Sequence, residues 1–339
     1  MTAENSFVIA LPSKGALAEP TLDFFAQCGM KVWKPNPRQY TGKIPALPNL
    51  TVIFQRVKDV TYKVADGTAH LGITGVDVVH EYGDDRLLTV HDNLEYGHCK
   101  LLVAVPEAWV DVETVADLTD IALDIRENQN RNLRVATTYS YSARKFLHEQ
   151  GIHHFTIVKA EGAIEAAPTL GYADVIVDLT QTGTTLRENR LKPLSDGTII
   201  NSQAILVGNR DALQAQPELR ETVRLMLEYI DASLNGKRYA QLTANIEGTS
   251  PEDIANQLTA NPITRGLHGP TIAPIYGVQP KNGRSPYTVT LIVNNKHLLE
   301  AVEYLRTIGG TQTTVHPVNF VFMEQSPAYV RLKGQLEQA

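Results

Sequence analysis

The sequence predicts an α/β protein with more than one domain. The chain has 339 residues, short apolar β-branched runs alternate with helical patterns, and the order of elements changes after Gly236. One ordinary core holds about 100 to 200 residues, so two or three domains are expected. With 43% hydrophobic and 20% charged residues, the composition is that of a globular protein.

The apolar runs that predict strands in the first part of the chain are residues 7–11, 50–54, 71–74, 101–105, 133–137, 155–158, 175–177 and 204–207. They are continuous rather than alternating, which is typical of strands covered on both faces. Their alternation with helical segments therefore favours doubly wound, mainly parallel sheets with helical crossovers.

A long amphipathic helix is predicted over residues 211–234, and Asn235 and Gly236 supply its stop signal. The elements predicted after it are a strand at 239–245, a helix at 251–258, strands at 271–276 and 287–293, a helix at 298–308 and a strand at 314–322. This βαββαβ order is that of a ferredoxin-like domain.

Composition excludes several classes of function. No run approaches the roughly 20 apolar residues of a membrane span, and the N-terminal 15 residues lack a basic region and a cleavage site. A cytoplasmic protein without membrane contact is expected. A net charge of −6 without a long basic run argues against nucleic-acid binding. Cys28 and Cys99 lack metal-ligand spacing and are expected to be buried thiols.

The segment 173–186, ADVIVDLTQTGTTL, runs from a predicted strand into a hydroxyl-rich turn and a helical segment. At a helix start the backbone N–H groups point outward, and Gly183 lets a ligand approach them closely. Hydroxyl donors are added by Thr182, Thr184 and Thr185. This pattern predicts a phosphate-binding turn, with Asp178 placed to hold ribose hydroxyls. An ordinary strand-to-helix turn with threonine caps is the alternative, and a Walker A motif is absent from the sequence.

The turn is a variant of the signature of common phosphoribosyltransferases, two acids followed by Thr-Gly-x-Thr, because Leu179 replaces the second acid. Further motifs are LPSKG at 11–15, FQRVKDV at 54–60, LGITGVD at 71–77, LEYGHC at 94–99, RVAT at 134–137, EGAIEAAP at 161–168 and GPT at 269–271. Together, over nearly the whole chain, they resemble the long form of the ATP phosphoribosyltransferases, the first enzymes of histidine biosynthesis.

The resemblance implies a two-lobed catalytic core like a type II periplasmic binding protein and a C-terminal ferredoxin-like (ACT-like) regulatory domain. The expected limits are lobe I at 1–104, completed by 195–235, lobe II at 105–194 and the regulatory domain at 236–339. In the implied reaction, N1 of ATP attacks the anomeric carbon of phosphoribosyl pyrophosphate (PRPP), and pyrophosphate leaves with Mg²⁺ assistance. L-Histidine is the implied effector, and a homo-oligomer, either dimer or hexamer, the implied assembly.

Motif positions also imply site residues. The expected PRPP ligands are Glu165, Asp178, Thr180, Thr182, Gly183, Thr184 and Thr185. The expected ATP ligands are Lys14, Gly15, Arg56 and Asp77. The expected histidine pocket contains Asn245, Leu267, Thr271 and Gly310. No catalytic nucleophile is assigned, because such transfer needs positioning and electrostatic stabilisation rather than covalent work by the protein; the metal ligands are left unassigned.

Purely structural roles are the alternative interpretation for several of these residues. Glu165 is alternatively a solvated carboxylate at a helix start, and Lys14, Arg56 and Asp77 are alternatively surface residues. The last domain alternatively serves oligomer packing alone. A non-catalytic small-molecule binding module is the competing function, since the two-lobed architecture is shared with solute-binding proteins.

Three departures from the family pattern affect these expectations. Ala16 stands where the family usually has Arg, which removes a fork of donors from an expected anion site. Asn245 stands where the family often has an acid, so weaker feedback inhibition by histidine is expected. Residues 138–144 are rich in Ser and Tyr, and are expected either to cap a helix or to add phosphate contacts.

Overall fold

The computed structural model describes residues 7–36, 39–160, 162–279 and 282–337. The chain forms two compact units. The first unit comprises Met1–Ala26, Met30–Thr222 and Leu332–Ala339, and the second comprises Gln27–Gly29 and Val223–Arg331. A six-stranded and a five-stranded sheet lie in the first unit, and a four-stranded sheet lies in the second.

The strands of the first unit are β1 Phe7–Pro12, β2 Thr41–Lys43, β3 Leu50–Gln55, β4 Leu71–Gly75, β5 Leu87–His91, β6 Cys99–Pro106, β7 Leu133–Thr137, β8 Phe155–Lys159, β9 Val175–Thr180, β10 Leu191–Ser202 and β11 Ala204–Asn209. The α-helices that accompany them are α1 Ala18–Gln27, α2 Val57–Ala65, α3 Val76–Tyr82, α4 Val115–Gln129, α5 Ser140–Glu149, α6 Thr184–Glu188 and α7 Arg210–Ala215. Helix α8, Pro217–Gly236, begins in the first unit and ends in the second.

The first sheet has the order β2-β3-β1-β4-β11-β5. Strand β1 runs parallel to β3 and β4, whereas β11 runs antiparallel to β4 and β5. Its central strands are almost wholly buried, which explains their continuous apolar character. The predicted runs at 7–11, 50–54, 71–74 and 204–207 are thus confirmed as strands.

The second sheet has the order β10-β6-β9-β7-β8. Strand β7 runs parallel to β8 and β9, and β6 runs antiparallel to β9. Each sheet therefore has three parallel strands followed by an antiparallel one, β11 beside β4 in the first and β6 beside β9 in the second. This repeated arrangement confirms the predicted core of two α/β lobes.

Strand β6, which follows the first crossing between the sheets, and strand β10, which precedes the second, correct the expected lobe limits. Strand β6 belongs entirely to the second sheet, and so does β10. Residues 99–104 and 195–202 therefore lie in the sheet of lobe II and not of lobe I. An apolar run such as 101–105 carries no information about which sheet it joins. Polar residues interrupt the apolar residues of β10 without a regular alternation, and the strand has two register shifts, so no strand pattern identified it.

The second unit contains β12 Tyr239–Gly248, α9 Pro251–Ala260, β13 Thr271–Pro274, β14 Ser285–Asn294, α10 Leu298–Thr307 and β15 Thr311–Pro317, and helix α11, Pro327–Glu337, follows. The sheet order is β13-β14-β12-β15, and neighbouring strands are antiparallel. This confirms the predicted βαββαβ, ferredoxin-like domain. Apolar side chains of β12, β14, α9 and α10 form its core.

The end of this domain differs from the prediction. The last strand stops at Pro317 instead of Phe322, and α11 was not predicted. Beyond Pro317 the N–H of Val321 donates to the Ala232 carbonyl of α8, and the ring of Phe322 packs against Tyr229. The aromatic residues there pack on a helix rather than continue the sheet.

The two cysteines have different environments. Cys28 is buried, as expected, and burial raises the pKa of its thiol to about 11. Cys99, at the start of β6, is only partly buried, so the expectation of a buried thiol is wrong for this residue. Across the described residues, none of the helices has the length and apolar character needed to cross a membrane.

Candidate active site

The predicted phosphate-binding turn lies at one edge of the second sheet. Because β7, β8 and β9 are parallel, their carboxyl ends meet at this edge. Ligands of open α/β sheets bind outside this edge. Strand β9 is buried over its first half and ends in the partly buried residues Asp178, Leu179 and Thr180. The strand thus places Asp178 where a ligand is expected.

Gly183 shapes the turn that follows β9. Its φ of 74° lies in the left-handed region, which favours glycine. Its N–H donates to Thr180 Oγ1 at 2.9 Å, and the space around its Cα is open. Helix α6 begins at Thr184, and no side chain caps it at Gly183. The first N–H groups of this helix lack partners within the helix. Thr184 and Thr185 are exposed, and Thr184 Oγ1 lies 2.9 Å from Thr182 Oγ1.

Asp178 is the titratable group at the centre of this edge. Burial and the nearby charge of Glu165 raise the pKa of its carboxyl to about 6, opposed by a hydrogen bond from the Leu179 N–H at 2.8 Å. Glu165 is partly buried in the short 3₁₀ helix Ile164–Ala166. The electrostatic coupling of the two carboxyls indicates that the structure brings these two predicted residues together.

The same pair is the place to test for a metal ion. Within the described ranges, no group of three or more His, Cys, Asp or Glu side chains is arranged to hold a metal. Mg²⁺ usually keeps several waters and binds through one or two carboxylates together with substrate phosphates. Asp178 and Glu165 fit such an open site, completed by a phosphorylated substrate, and do not form a closed protein cage.

The predicted ATP ligands lie at the ends of the strands of the first sheet. Lys14 and Gly15 follow β1, Arg56 follows β3, and all three are exposed. Gly15 has a φ of 82° with open space around its Cα. The exposed Ala16 adds no charge there. This edge therefore offers cationic side chains to solvent.

Asp77, the fourth predicted ATP ligand, has a different environment. It is only 4% exposed, so its interpretation as a surface residue is wrong. Its Oδ2 accepts a hydrogen bond of 2.7 Å from the Tyr139 hydroxyl, and its Oδ1 accepts one from Ser202 Oγ. A Cβ at Gly75 would collide with this carboxylate. Asp77 thus joins the first lobe to the second.

Tyr139 belongs to the segment 138–144 but was not named individually as a ligand. Burial, together with the negative charge of Asp77, raises the pKa of its hydroxyl far above the usual value. The hydroxyl therefore stays protonated and donates to Asp77 across the physiological pH range. Any substrate group that binds the Asp77 carboxylate has to share or replace this hydrogen bond.

A second link between the lobes caps helix α5. The carboxylate of Glu81 accepts from the N–H groups of Tyr141 and Ser142 at 2.8 and 2.9 Å, and from Ser142 Oγ at 2.8 Å. His80 Nδ1 lies 2.9 Å from the same hydroxyl. A helix start in the segment 138–144 is confirmed, but the cap comes from Glu81 of lobe I. No local pattern predicts a cap that is 60 residues away.

A pocket of about 540 Å³ adjoins these links. Residues of both lobes line it, including Lys58, Glu81, Tyr82, Thr138, Tyr139 and Lys159. None of these was predicted individually as a ligand, although Thr138 and Tyr139 belong to the segment 138–144, for which phosphate contacts were one of two expectations. The sequence feature that could have indicated the two lysines is their position beside family motifs. Lys58 lies within the motif 54–60, and Lys159 lies shortly before the motif 161–168.

Comparison with known proteins identifies the family. Residues 56–232 match the family model described as ATP phosphoribosyltransferase. ATP phosphoribosyltransferase 2, chloroplastic, from Arabidopsis thaliana is 40% identical over 97% of this chain and 80% of its own length. The chain belongs to the ATP phosphoribosyltransferase family. The resemblance inferred from the motifs is thus confirmed.

One further relative and one solved structure agree with the assignment to the ATP phosphoribosyltransferase family. The ATP phosphoribosyltransferase of Bradyrhizobium sp. (strain ORS 278) is 35% identical over 97% of this chain and 98% of its own. Among solved structures, the ATP phosphoribosyl transferase (HisG:HisZ) complex from Thermotoga maritima has a TM-score of 0.51 at 23% identity, and the match covers 66% of this chain and 95% of that one. At this identity the structural match supports the fold of the core.

In the C-terminal domain of this ATP phosphoribosyltransferase family member, the residues expected around histidine do not share one cavity. Asn245 lines a cavity of about 720 Å³ together with Gly309 and Thr311, the neighbours of Gly310. Its amide donates to Gln312 Oε1 at 2.7 Å. Leu267 lines a different cavity of about 330 Å³. This second cavity adjoins the start of β12, whereas Asn245 lies near the end of that strand.

Thr271 lines neither of these two cavities. It begins β13 and pairs with Thr290 of β14, which in turn pairs with Thr243 of β12. Within a single chain the structure therefore brings together Asn245 and the segment around Gly310, and leaves Leu267 and Thr271 elsewhere on the domain.

Proposed function

We propose that this chain transfers the phosphoribosyl group of PRPP to N1 of ATP and releases pyrophosphate, the committed step of L-histidine biosynthesis. The observation that carries the proposal is the turn after β9. In a chain of this family, it combines an open helix start at Gly183 with a partly buried carboxyl at Asp178. A phosphate and a ribose are the groups that such a pair binds best.

The proposed chemistry requires alignment rather than a protein nucleophile. The bond from adenine N1 to the anomeric carbon forms while the bond from that carbon to pyrophosphate breaks, and its electron pair leaves with the pyrophosphate. Asp178 accepts from the ribose hydroxyls, and Thr180 holds Gly183 in place through the hydrogen bond given above. Lys14 and Arg56 balance the charge of the ATP phosphates. Holding the two substrates in line supplies much of the rate.

We propose Mg²⁺ as the metal of this reaction. When bound, it neutralises charge on the departing pyrophosphate. Asp178 and Glu165 are the residues that would hold it, together with the substrate phosphates. The raised pKa of Asp178 agrees with a carboxyl that awaits a cation, because a bound cation favours the ionised form.

One assay tests the function. The purified chain is incubated with ATP, PRPP and Mg²⁺, and the N1-ribosylated nucleotide is followed by mass spectrometry, with controls that omit each substrate. We expect product only when both substrates are present, with one pyrophosphate per nucleotide formed. Binding of PRPP without any product would contradict the proposal and leave a non-catalytic binding module.

We further propose that L-histidine inhibits the enzyme through the C-terminal domain. The cavity beside Asn245 also carries Glu247 and Arg284, a carboxylate and a guanidinium that complement the ammonium and carboxylate of an amino acid. The amide of Asn245 pairs with the ammonium less well than an acid does, so weak inhibition is expected. Histidine binding regulates the enzyme only if the affinity for histidine differs between the active and inactive states.

The expected result is a lower rate when millimolar L-histidine is added to the assay, with D-histidine as the matched control. The rate should recover in the variant Arg284→Ala, because the effector carboxylate loses its cationic partner. An unchanged rate of the unmodified enzyme with L-histidine would leave the C-terminal domain a purely structural role.

Assembly and compartment complete the proposal. We propose a homo-oligomer, a dimer or hexamer, which light scattering of the purified chain measures directly. The exposed residues Tyr276, Val278 and Val315 of the C-terminal domain favour assembly through this domain. The cytoplasm is the proposed compartment. The Arabidopsis relatives are described as chloroplastic, so fractionation of the source cells is the test.

A further inference from the structure

The pocket of about 540 Å³ between the lobes contains two lysines that face it from opposite sides. Lys58 lies in the first turn of α2, in lobe I, and Lys159 is the last residue of β8, in lobe II. The connection from β7 to α5 adds the hydroxyl groups of Thr138 and Ser140. The volume is within the range of about 300 to 1,000 Å³ that small-molecule sites occupy.

Two lysines and one carboxylate line the pocket, and the charge of Asp59, which does not line it, also acts on Lys58. Glu81 is the acidic residue among the lining residues, and its carboxylate already accepts three hydrogen bonds at the start of α5, where the helix dipole favours a negative charge. The Tyr139 hydroxyl donates to Asp77. Neither lysine forms an ion pair with any residue that the structure describes.

Lys58 is held in position by aromatic rings. Its Nζ lies 4.0 Å from the centre of the Tyr82 ring and 5.8 Å from that of Tyr62. The hydroxyl of Tyr82 donates to the Thr138 carbonyl at 3.2 Å, across the lobes. Lys58 also shares a side-chain hydrogen bond with Tyr82, and the remaining N–H donors of an ammonium, which has three, can bind a ligand. The ammonium is therefore ordered at the pocket wall before any ligand arrives.

The pocket is separate from the phosphate-binding turn. Strand β7 lies between β8 and β9, so Lys159 and the turn leave the sheet from strands two positions apart, about 10 Å at the usual strand spacing. An anion at the two lysines is therefore a different group from the phosphate at Gly183. Two cations from opposite walls suit a chain of linked phosphates better than a single one.

We propose that Lys58 and Lys159 form a polyphosphate subsite that binds the phosphate chain of one substrate across the two lobes. The identity of the substrate rests on the proposed function. Two sources share this chemistry, the triphosphate of ATP and the pyrophosphate of PRPP. Both lysines are positioning residues, since they hold the phosphate chain and thereby fix the reacting carbon or nitrogen relative to its partner.

The first experiment measures binding of inorganic tripolyphosphate by calorimetry, which needs no turnover. Lys58→Met and Lys159→Met each remove the charge and keep most of the side-chain stem, and Lys63→Met, in the last turn of the same helix α2, is the matched control. We expect each test variant to bind about tenfold or more weakly, since each removes a charge-assisted hydrogen bond. The control should bind as the unmodified chain does.

Initial-rate kinetics then assigns the source. A raised KM for ATP alone identifies its triphosphate as the occupant, and a raised KM for PRPP alone identifies the pyrophosphate. Unchanged tripolyphosphate binding in both test variants, or an equal loss in Lys63→Met, would overturn the subsite. An unmodified chain that binds tripolyphosphate through the two lysines but forms no product would refute the proposed function and leave the subsite standing.

Discussion

Replacing Asp178 by Asn is expected to lower kcat/KM for PRPP by roughly 10- to 100-fold at pH 8, while KM for ATP changes little. In the proposed site the carboxylate accepts from the ribose hydroxyls, and a hydrogen bond to a charged group contributes about 1.5 to 3 kcal/mol. The amide keeps the size of the side chain and loses its charge. Initial rates with each substrate varied in turn measure the effect.

The pH dependence of kcat/KM for PRPP provides the control for this prediction. The Asp178 carboxyl has a pKa of about 6 and accepts hydrogen bonds fully only when ionised. As the pH falls through about 6, kcat/KM for PRPP should therefore decrease, about tenfold per unit below the pKa. The variant Asp178→Asn should lack this inflection. Glu165→Gln should move it to lower pH, because it removes a charge that raises the pKa of Asp178. The same inflection in Asp178→Asn would show that another group is responsible.

The double variant Thr182→Ala with Thr185→Ala should weaken PRPP binding by about 100-fold or more. Both hydroxyls are exposed in the turn, and two lost hydrogen bonds to a phosphate account for this factor. ATP binding should stay within about threefold, because its expected ligands lie on the other lobe. Calorimetric titration with each substrate, in the absence of the other, measures both constants.

Two matched controls accompany the double variant. Thr182→Ser with Thr185→Ser keeps both hydroxyls and should restore most of the PRPP affinity. Gln181→Ala changes an exposed residue of the same turn that has no expected ligand contact and should leave binding unchanged. An equal loss of ATP and PRPP affinity in the alanine variant would mean that the turn was assigned to the wrong substrate.

The features that could be predicted from the sequence are local ones. The turn after β9 was recognisable because an apolar run, an acid, threonines and Gly183 follow one another, and the left-handed φ of Gly183 is a local requirement. The βαββαβ domain followed from the order of its elements in the same way. Strand β10 was missed because its polar residues and register shifts break the period that identifies strands.

The links between the lobes could not be predicted, because they join distant positions. Asp77 lies 62 residues from Tyr139 and 125 residues from Ser202, and no short pattern relates them. The burial that raises the pKa of Asp178 likewise depends on the packed structure. Lys58 and Lys159 are ordinary lysines in the sequence, and they become a pair only when two sheets bring their strand ends to one pocket.

A crystal structure of the chain with PRPP and Mg²⁺ tests most directly that the turn after β9 holds the phosphoribosyl group. The expected result places the 5′-phosphate on the N–H groups and hydroxyls of Thr184 and Thr185, and the ribose hydroxyls on Asp178. PRPP bound with its 5′-phosphate at Lys14 and Arg56, and no ligand at the turn, would contradict it.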